Sequence, residues 1–408
     1  MNKIRIMKVL LVAIFLTMTG WFANSTFRQT ESTVQAAQIT PNVQAELLND
    51  QMLVLGYNEL GMHCMNEDFS EMAILPPFNT LRAQIIDRSG EEPKIVKSGV
   101  TVKYSIPGNT HSADKTNFWL FSKSLFGVDL LPDFGLTGNT LAGTMVARTQ
   151  NDWEATGIPI TQVNDQGIND PYQLAHITVV RNGQTVGQTR AVVPVSWEIS
   201  CNLCHTSGPG KSIATDILRK HDRLHGTKLE QQKPVLCASC HSDNALGTAG
   251  SPGLPSLSRA MHNSHSGRVE GIGLSNSCYA CHPGFRSQCQ RDIHSTKGVT
   301  CTTCHGSMLA VANPNRRPWL DEPRCDSCHR RQGFEFEQPG TLYKESLGHK
   351  NVHCTACHGA PHAITPTITT ADNVQAIAAQ GYPGKINQCA VCHRTPPDEP
   401  FFHRRSDD

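Results

Sequence analysis

The pattern Cys-x-x-Cys-His recurs seven times in the second half of this chain, and it constrains the fold more than any other feature. The copies are CNLCH at 201–205, CASCH at 237–241, CYACH at 278–282, CTTCH at 301–305, CDSCH at 325–329, CTACH at 354–358 and CAVCH at 389–393. Their first cysteines are Cys201, Cys237, Cys278, Cys301, Cys325, Cys354 and Cys389. Their second cysteines are Cys204, Cys240, Cys281, Cys304, Cys328, Cys357 and Cys392. Their histidines are His205, His241, His282, His305, His329, His358 and His393. Together they use fourteen of the 16 cysteines, whereas this composition supplies about 0.03 such motifs by chance. Only Cys64 precedes residue 201, so the 408 residues divide into two chemically different halves.

Two intervening residues set the thiols one helical turn apart, with a histidine directly after. Haem c is attached at such a motif: each thiol adds across a vinyl group as a thioether, and the histidine becomes the proximal iron ligand. A disulfide framework would suit an exported chain but gives no reason for a histidine after every pair. Zinc sites require four ligands each, and Cys-x-x-Cys knuckles do not need that histidine. A thioredoxin-type motif comes singly on a βαβ pattern. The motifs therefore predict seven covalently bound haem c groups.

The half 201–408 devotes 208 residues to seven motifs, with gaps of 36, 41, 23, 24, 29 and 35 between successive motif histidines. So little chain cannot build a hydrophobic core around each cofactor. The porphyrins are expected to be the core, stacked near contact and wrapped by short helices and loops, and folding of this half should depend on them. Nine further histidines lie in this half, enough for a second ligand at every iron. The expected distal ligands are His221, His225, His262, His265, His294, His349 and His362. His353 abuts Cys354 and has little freedom, and His403 near the C-terminus is a reserve, also able to reach a neighbouring subunit. Residues 212–229 read as an amphipathic helix with Ser212 as N-cap, placing His221 and His225 on one face. Met261 and Met308 are expected to pack rather than ligate, given the spare histidines. Arginine makes up 14 of the 22 Lys and Arg here; Arg316, Arg317, Arg324, Arg330 and Arg331 flank the fourth and fifth motifs and suit bidentate pairing with haem propionates.

Through CYACHPG at 278–284, CTTCHG at 301–306 and CTACHGAPHA at 354–363, residues 201–408 resemble the exported multihaem c-type cytochromes of metal-respiring bacteria. The resemblance implies a multihaem cytochrome c domain passing electrons along closely spaced, mostly bis-His haems toward an extracytoplasmic or extracellular acceptor. Its partners would be a cytochrome or quinol-linked donor and an outer redox acceptor. A filament built by haem–haem stacking or by a donated histidine is one form of that role. The alternative is a multihaem reductase of a small nitrogen or sulfur oxyanion, which needs one open-coordinate haem. Multihaem nitrite reductases typically carry lysine in place of one motif histidine, and all seven motifs here end in His. No catalytic constellation, P-loop or Rossmann glycine motif is present, and 36 Lys and Arg against 35 Asp and Glu propose no nucleic-acid partner.

The first half begins with Lys3, Arg5 and Lys8 before an apolar run over 9–22. This predicts a signal peptide over 1–25, with cleavage as late as residue 36, and a run too short to span a bilayer. No cysteine follows it for a lipid anchor, and no later stretch could cross a membrane. The mature chain is expected in the periplasm or at the cell surface or exterior. Residues 40–200 read as a haem-free, β-rich, sandwich-like domain. VTVKYSI at 100–106 alternates apolar and polar residues, and Asn182-Gly183 marks a hairpin. His63-Cys64 is either structural or a donor to an iron. Cys64 and Cys289 are the two thiols outside the motifs, and a disulfide between them would tie the halves together; spacing alone leaves that open.

Overall fold

Strands dominate the first half. They are β1 (Met52–Asn58), β2 (His63–Cys64), β3 (Met72–Ala73), β4 (Asn79–Asp87), β5 (Lys94–Ile95) and β6 (Thr101–Ser105). After helix α1 (Phe118–Phe126) come β7 (Ala142–Thr144), β8 (Val146–Ala147), β9 (Trp153–Ile158), β10 (Leu174–Arg181), β11 (Gln184–Val192) and β12 (Val195–Ser196). One sheet runs β1-β4-β9-β8 with β5 on β4, and a second runs β11-β10-β6-β7. This computed structural model describes residues 51–398 and 401–405, so the expected signal segment lies outside it.

The expected alternation is present in β6, where Val102 and Tyr104 are buried while Thr101 and Lys103 are exposed. The hairpin is also present: β10 and β11 pair antiparallel, with Asn182 (φ 51°) and Gly183 (φ 79°) both in the left-handed region that a two-residue turn requires. Val54, Leu81, Ala83 and Ile85 from one sheet share a core with Val102, Tyr104, Ile177, Val179 and Ala191 from the other. The sheets approach closely at Gly56, where a Cβ would lie 2.6 Å from Ile177 Cδ1 and 2.9 Å from Ala191 Cβ.

Every residue of β1 is buried, because both of its faces are covered. Met52 and Val54 face the core between the sheets. Leu53, Leu55 and Tyr57 instead pack with Ala356, Ala379, Ile386 and Val391 of the second half. The two halves are thereby interlocked, and the described residues belong to one compact unit.

The second half contains α2 (Ile213–His225), α3 (Leu257–Val269), α4 (Ile293–Thr296), α5 (Cys301–His305), α6 (Met308–Val311), α7 (Cys354–His358) and α8 (Thr370–Gln380). Three two-residue strands accompany them: β13 (Val235–Leu236) on β3, and β14 (Phe334–Glu335) paired with β15 (Arg404–Arg405). Ser212 caps α2 by accepting from Thr215 N–H, as its position predicts. The helix stops at His225 rather than Leu229, because Gly226 turns left-handed (φ 67°) and Asp222 takes the N–H groups of Leu229 and Glu230. Among the described residues, no helix is long and apolar enough to cross a membrane.

A buried ionic network crosses the seam. Arg82, 4% exposed, contacts Glu154 at 2.7 Å, Glu345 at 2.9 Å and Glu59 at 3.4 Å, while Lys344 contacts Glu59 at 2.8 Å. Burial opposes the Glu59 charge, but Lys344, His63 and Arg82 outweigh it and bring the carboxyl from 4.5 to about 2. The depressed folded value means that the charged carboxylate contributes fully above pH 4.5, and that this contribution is lost as pH falls through about 2. At pH 7 the holoprotein carrying Glu59→Gln should be less stable than wild type by about 3 kcal/mol in denaturant unfolding. That difference should shrink below about pH 4 and vanish near pH 2. A difference that stayed constant with pH would sever Glu59 from this linkage.

Candidate functional site

Each Cys-x-x-Cys-His motif folds as one helical turn. Two of them are α5 and α7; the other five are short 3₁₀ turns. In those five the histidine N–H closes on the carbonyl of the first cysteine: His205, His329 and His393 at 2.8 Å, His282 at 2.9 Å and His241 at 3.1 Å. The turn therefore brings two thiols and one imidazole together locally, before any tertiary contact is made.

Tertiary structure then adds a second histidine to every motif. Ring centroids lie 6.5 Å apart for His205 and His265, 6.4 Å for His241 and His221, and 6.1 Å for His282 and His262. They lie 5.9 Å apart for His305 and His362, 6.0 Å for His329 and His294, 5.9 Å for His358 and His403, and 6.3 Å for His393 and His349. A metal held between two imidazole nitrogens at about 2.0–2.1 Å each sets the ring centroids roughly 6 Å apart. The spacing suits one iron per pair, and the donor set of two thiols and two imidazoles suits haem c.

Half of the fourteen rings are oriented through Nδ1. His262 and His265 bond the carbonyls of Ser258 (2.7 Å) and Met261 (2.8 Å), each four residues back on α3. His241 bonds Pro255 O at 2.9 Å, His403 Glu335 O at 3.3 Å, and His221 Thr227 Oγ1 at 2.9 Å. His205 and His294 bond the carboxylates of Asp216 (3.2 Å) and Asp292 (2.9 Å). Occupying Nδ1 in this way fixes the tautomer that leaves Nε2 as the ligating nitrogen. Burial, then the neighbouring histidines, pushes His282 and His305 down to about 4, so both rings are neutral at neutral pH.

Of the seven expected distal histidines, His221, His262, His265, His294, His349 and His362 face motif histidines, and His225 does not. The His225 ring stands 4.7 Å from His221, on the same helix face, so the two cannot serve one iron from opposite sides. The seventh partner is His403, which lies opposite His358 within the chain because the β14–β15 pairing folds the C-terminal segment back. His353 is fully buried in the seam, with Nε2 on Gln150 O at 2.8 Å. His63 is buried beside Glu59 and Lys344, and burial brings it to about 4.

Cys64 and Cys289 are both free thiols, and no disulfide ties the halves there. Among the candidate propionate partners, Arg317 is engaged by Asp321, and Arg324 by Asp326 and Glu337. Among the described residues, no three His, Cys, Asp or Glu side chains gather as a metal-ion cluster.

Two positioning elements carry no motif signal. Glu198, 3% exposed, accepts the backbone N–H groups of Gly284, Phe285, Arg286 and Ser287, pinning the loop after the third motif to the β half. Arg291, fully buried, clamps Asp372 through Nε (2.6 Å) and Nη2 (2.7 Å), and its N–H bonds His362 O at 2.9 Å. Gly61 fits against this segment because a Cβ there would fall 1.9 Å from Pro361 O.

No protein-family model matches the chain, and no curated protein does either. Among solved structures there is a weak likeness to MtrC from Shewanella baltica, at 16% identity and a TM-score of 0.16, covering 68% of this chain and 43% of that one. The chain thus spans less than half the length of that protein, and a likeness of this size carries no argument about fold or function.

Proposed function

We propose that this chain is an exported electron carrier that holds seven haem c groups, each attached through the two thiols of a motif and clasped between the two histidines of one pair. The observation that carries this reading is the agreement of all seven ring pairs, 5.9–6.5 Å, with the separation one iron needs. Haem c, when bound, supplies one-electron chemistry at iron. The chain's own residues provide the placement. The thiols would hold each group covalently, and the paired imidazoles would supply its nitrogen ligands. The Nδ1 partners of seven of those imidazoles then hold them against rotation. Because every motif histidine faces another histidine, the residues favour transfer between partners over an oxyanion reductase, which needs an open position. A cytochrome or quinol-linked donor and an outer redox acceptor are the partners of such a carrier.

The test is low-temperature EPR of the fully oxidised holoprotein, with haem counted per chain. Seven haems, all low-spin, are expected. His403→Ala should convert one of them to high-spin, and His225→Ala should convert none. A stoichiometric high-spin signal in the wild type would replace the carrier with the reductase. A haem count well below seven would remove the reading altogether.

A further inference from the structure

The motif number does not give the spatial order, but contacts between motifs do. His262 and His265, three residues apart on α3, face His282 and His205, which seats the third and first motifs on one helical turn. Ser200 N–H bonds Ala280 O at 3.2 Å and joins the same two directly. Helix α2 carries both Asp216, on His205 Nδ1, and His221, opposite His241, so the second motif lies beside the first. Asn276 accepts from Cys278 N–H at 3.1 Å and donates to Cys301 Sγ at 3.3 Å, linking the third motif to the fourth.

His294, opposite His329, belongs to the segment that runs into the fourth motif, with Val299 N–H on His294 O at 3.0 Å; the fifth motif therefore lies beside the fourth. The Phe336 ring stands 6.3 Å from His329 and 5.2 Å from His403, the partner of His358, and so bridges the fifth motif to the sixth. His349, opposite His393, lies just before Cys354, and Ile386, just before Cys389, bonds Cys357 O at 3.0 Å; these contacts join the sixth motif to the seventh.

The thiols repeat this order. Cys201 is within electrostatic reach of Cys237 and of Cys281, Cys278 of Cys301, Cys304 of Cys328, Cys325 of Cys354, and Cys357 of Cys392. From the third motif to the sixth, each turns one cysteine toward one neighbour and its other cysteine toward the next. That alternation describes a file without branches. The loop from His358 to His362 connects the sixth motif to the fourth. It leaves its helix at Gly359 (φ 88°) and reverses at His362 (φ 62°), whose ring faces His305 at 5.9 Å.

Building on the haem reading above, we infer that the cofactors stand in a single unbranched file in the order second, first, third, fourth, fifth, sixth, seventh. The ends of the file are then the second and seventh motifs, not the first and last. Electrons enter and leave the chain beside Cys240, which is exposed, and beside His393, whose Nδ1 lies 3.9 Å from Glu92 Oε2 on the loop before β5.

The test is an anomalous-difference map of the crystallised holoprotein at the iron edge. Seven iron peaks are expected, one per histidine pair, with the second-motif and seventh-motif irons each having one near neighbour and the others two. Seven peaks on the pairs, but with the first-motif iron at an end or the fourth nearer the sixth than the fifth, would overturn this order and leave the haem reading standing. Peaks absent from the pairs would remove the haem reading itself.

Discussion

Arg291→Met should cost the holoprotein about 3–5 kcal/mol, because it leaves a buried carboxylate without its counter-charge. Arg291 is fully buried and Asp372 is 3% exposed in its side chain, so water cannot take the place of the guanidinium. The loss would not be confined to one pair. Nη1 of Arg291 also reaches Gly61 O, Gln288 O and Cys289 O, while its carbonyl accepts Ile368 N–H. The side chain therefore ties the β2 approach, the loop after the third motif and α8 together, while the backbone of the same residue holds the His362 segment. Denaturant unfolding followed in the Soret band measures the loss, and EPR should report a change at the haem of the fourth motif, through His362. Adding Asp372→Leu to the variant should recover much of the stability, since replacing both members of a buried pair by apolar groups is far less damaging than removing one. A single variant that lost under about 1 kcal/mol would show that the clamp is dispensable.

The sequence is most legible where structure is local. A Cys-x-x-Cys-His turn closes within five residues, Ser212 caps its own helix, and Asn182-Gly183 makes its hairpin without help. What sequence could not assign is partnership at a distance. His225 and His403 show why. A helix periodicity places His221 and His225 on one face, but only the rest of the fold decides which of them has a motif histidine opposite. His403 lies 45 residues past His358, and the two-residue pairing of β14 and β15 that returns it leaves no periodic signal. Arg82 and Gln84 alternate along β4 with the apolar Leu81, Ala83 and Ile85. They are buried against residues 344–353, because a second module covers that face. Alternation reports that two faces differ, not what lies on each.

Withholding haem should unfold residues 201–408 and leave the β half standing. The core that unites the sheets draws all its buried residues from 52–195 and needs nothing from the motifs. Among the described residues beyond 200, sixteen hydrophobic side chains are buried, and nine of them are alanine. Alanine contributes a small fraction of the roughly 1.5–3 kcal/mol that a buried Leu or Ile supplies, so this half lacks the burial needed to offset the ordering of some two hundred residues. Its short helices are likewise too short to persist alone. The apolar surface has to come from the porphyrins, as metal does in folding small metal-dependent domains. Produced without its haems and exposed to a nonspecific protease at low ratio, the chain should yield a resistant fragment ending near residue 200, while the holoprotein stays intact. The fragment should also bind a hydrophobic dye, because Leu53, Leu55 and Tyr57 lose their cover. A haem-free chain protected through residue 393 would mean that the second half builds its own core, and the haems would then be passengers in the fold rather than its interior.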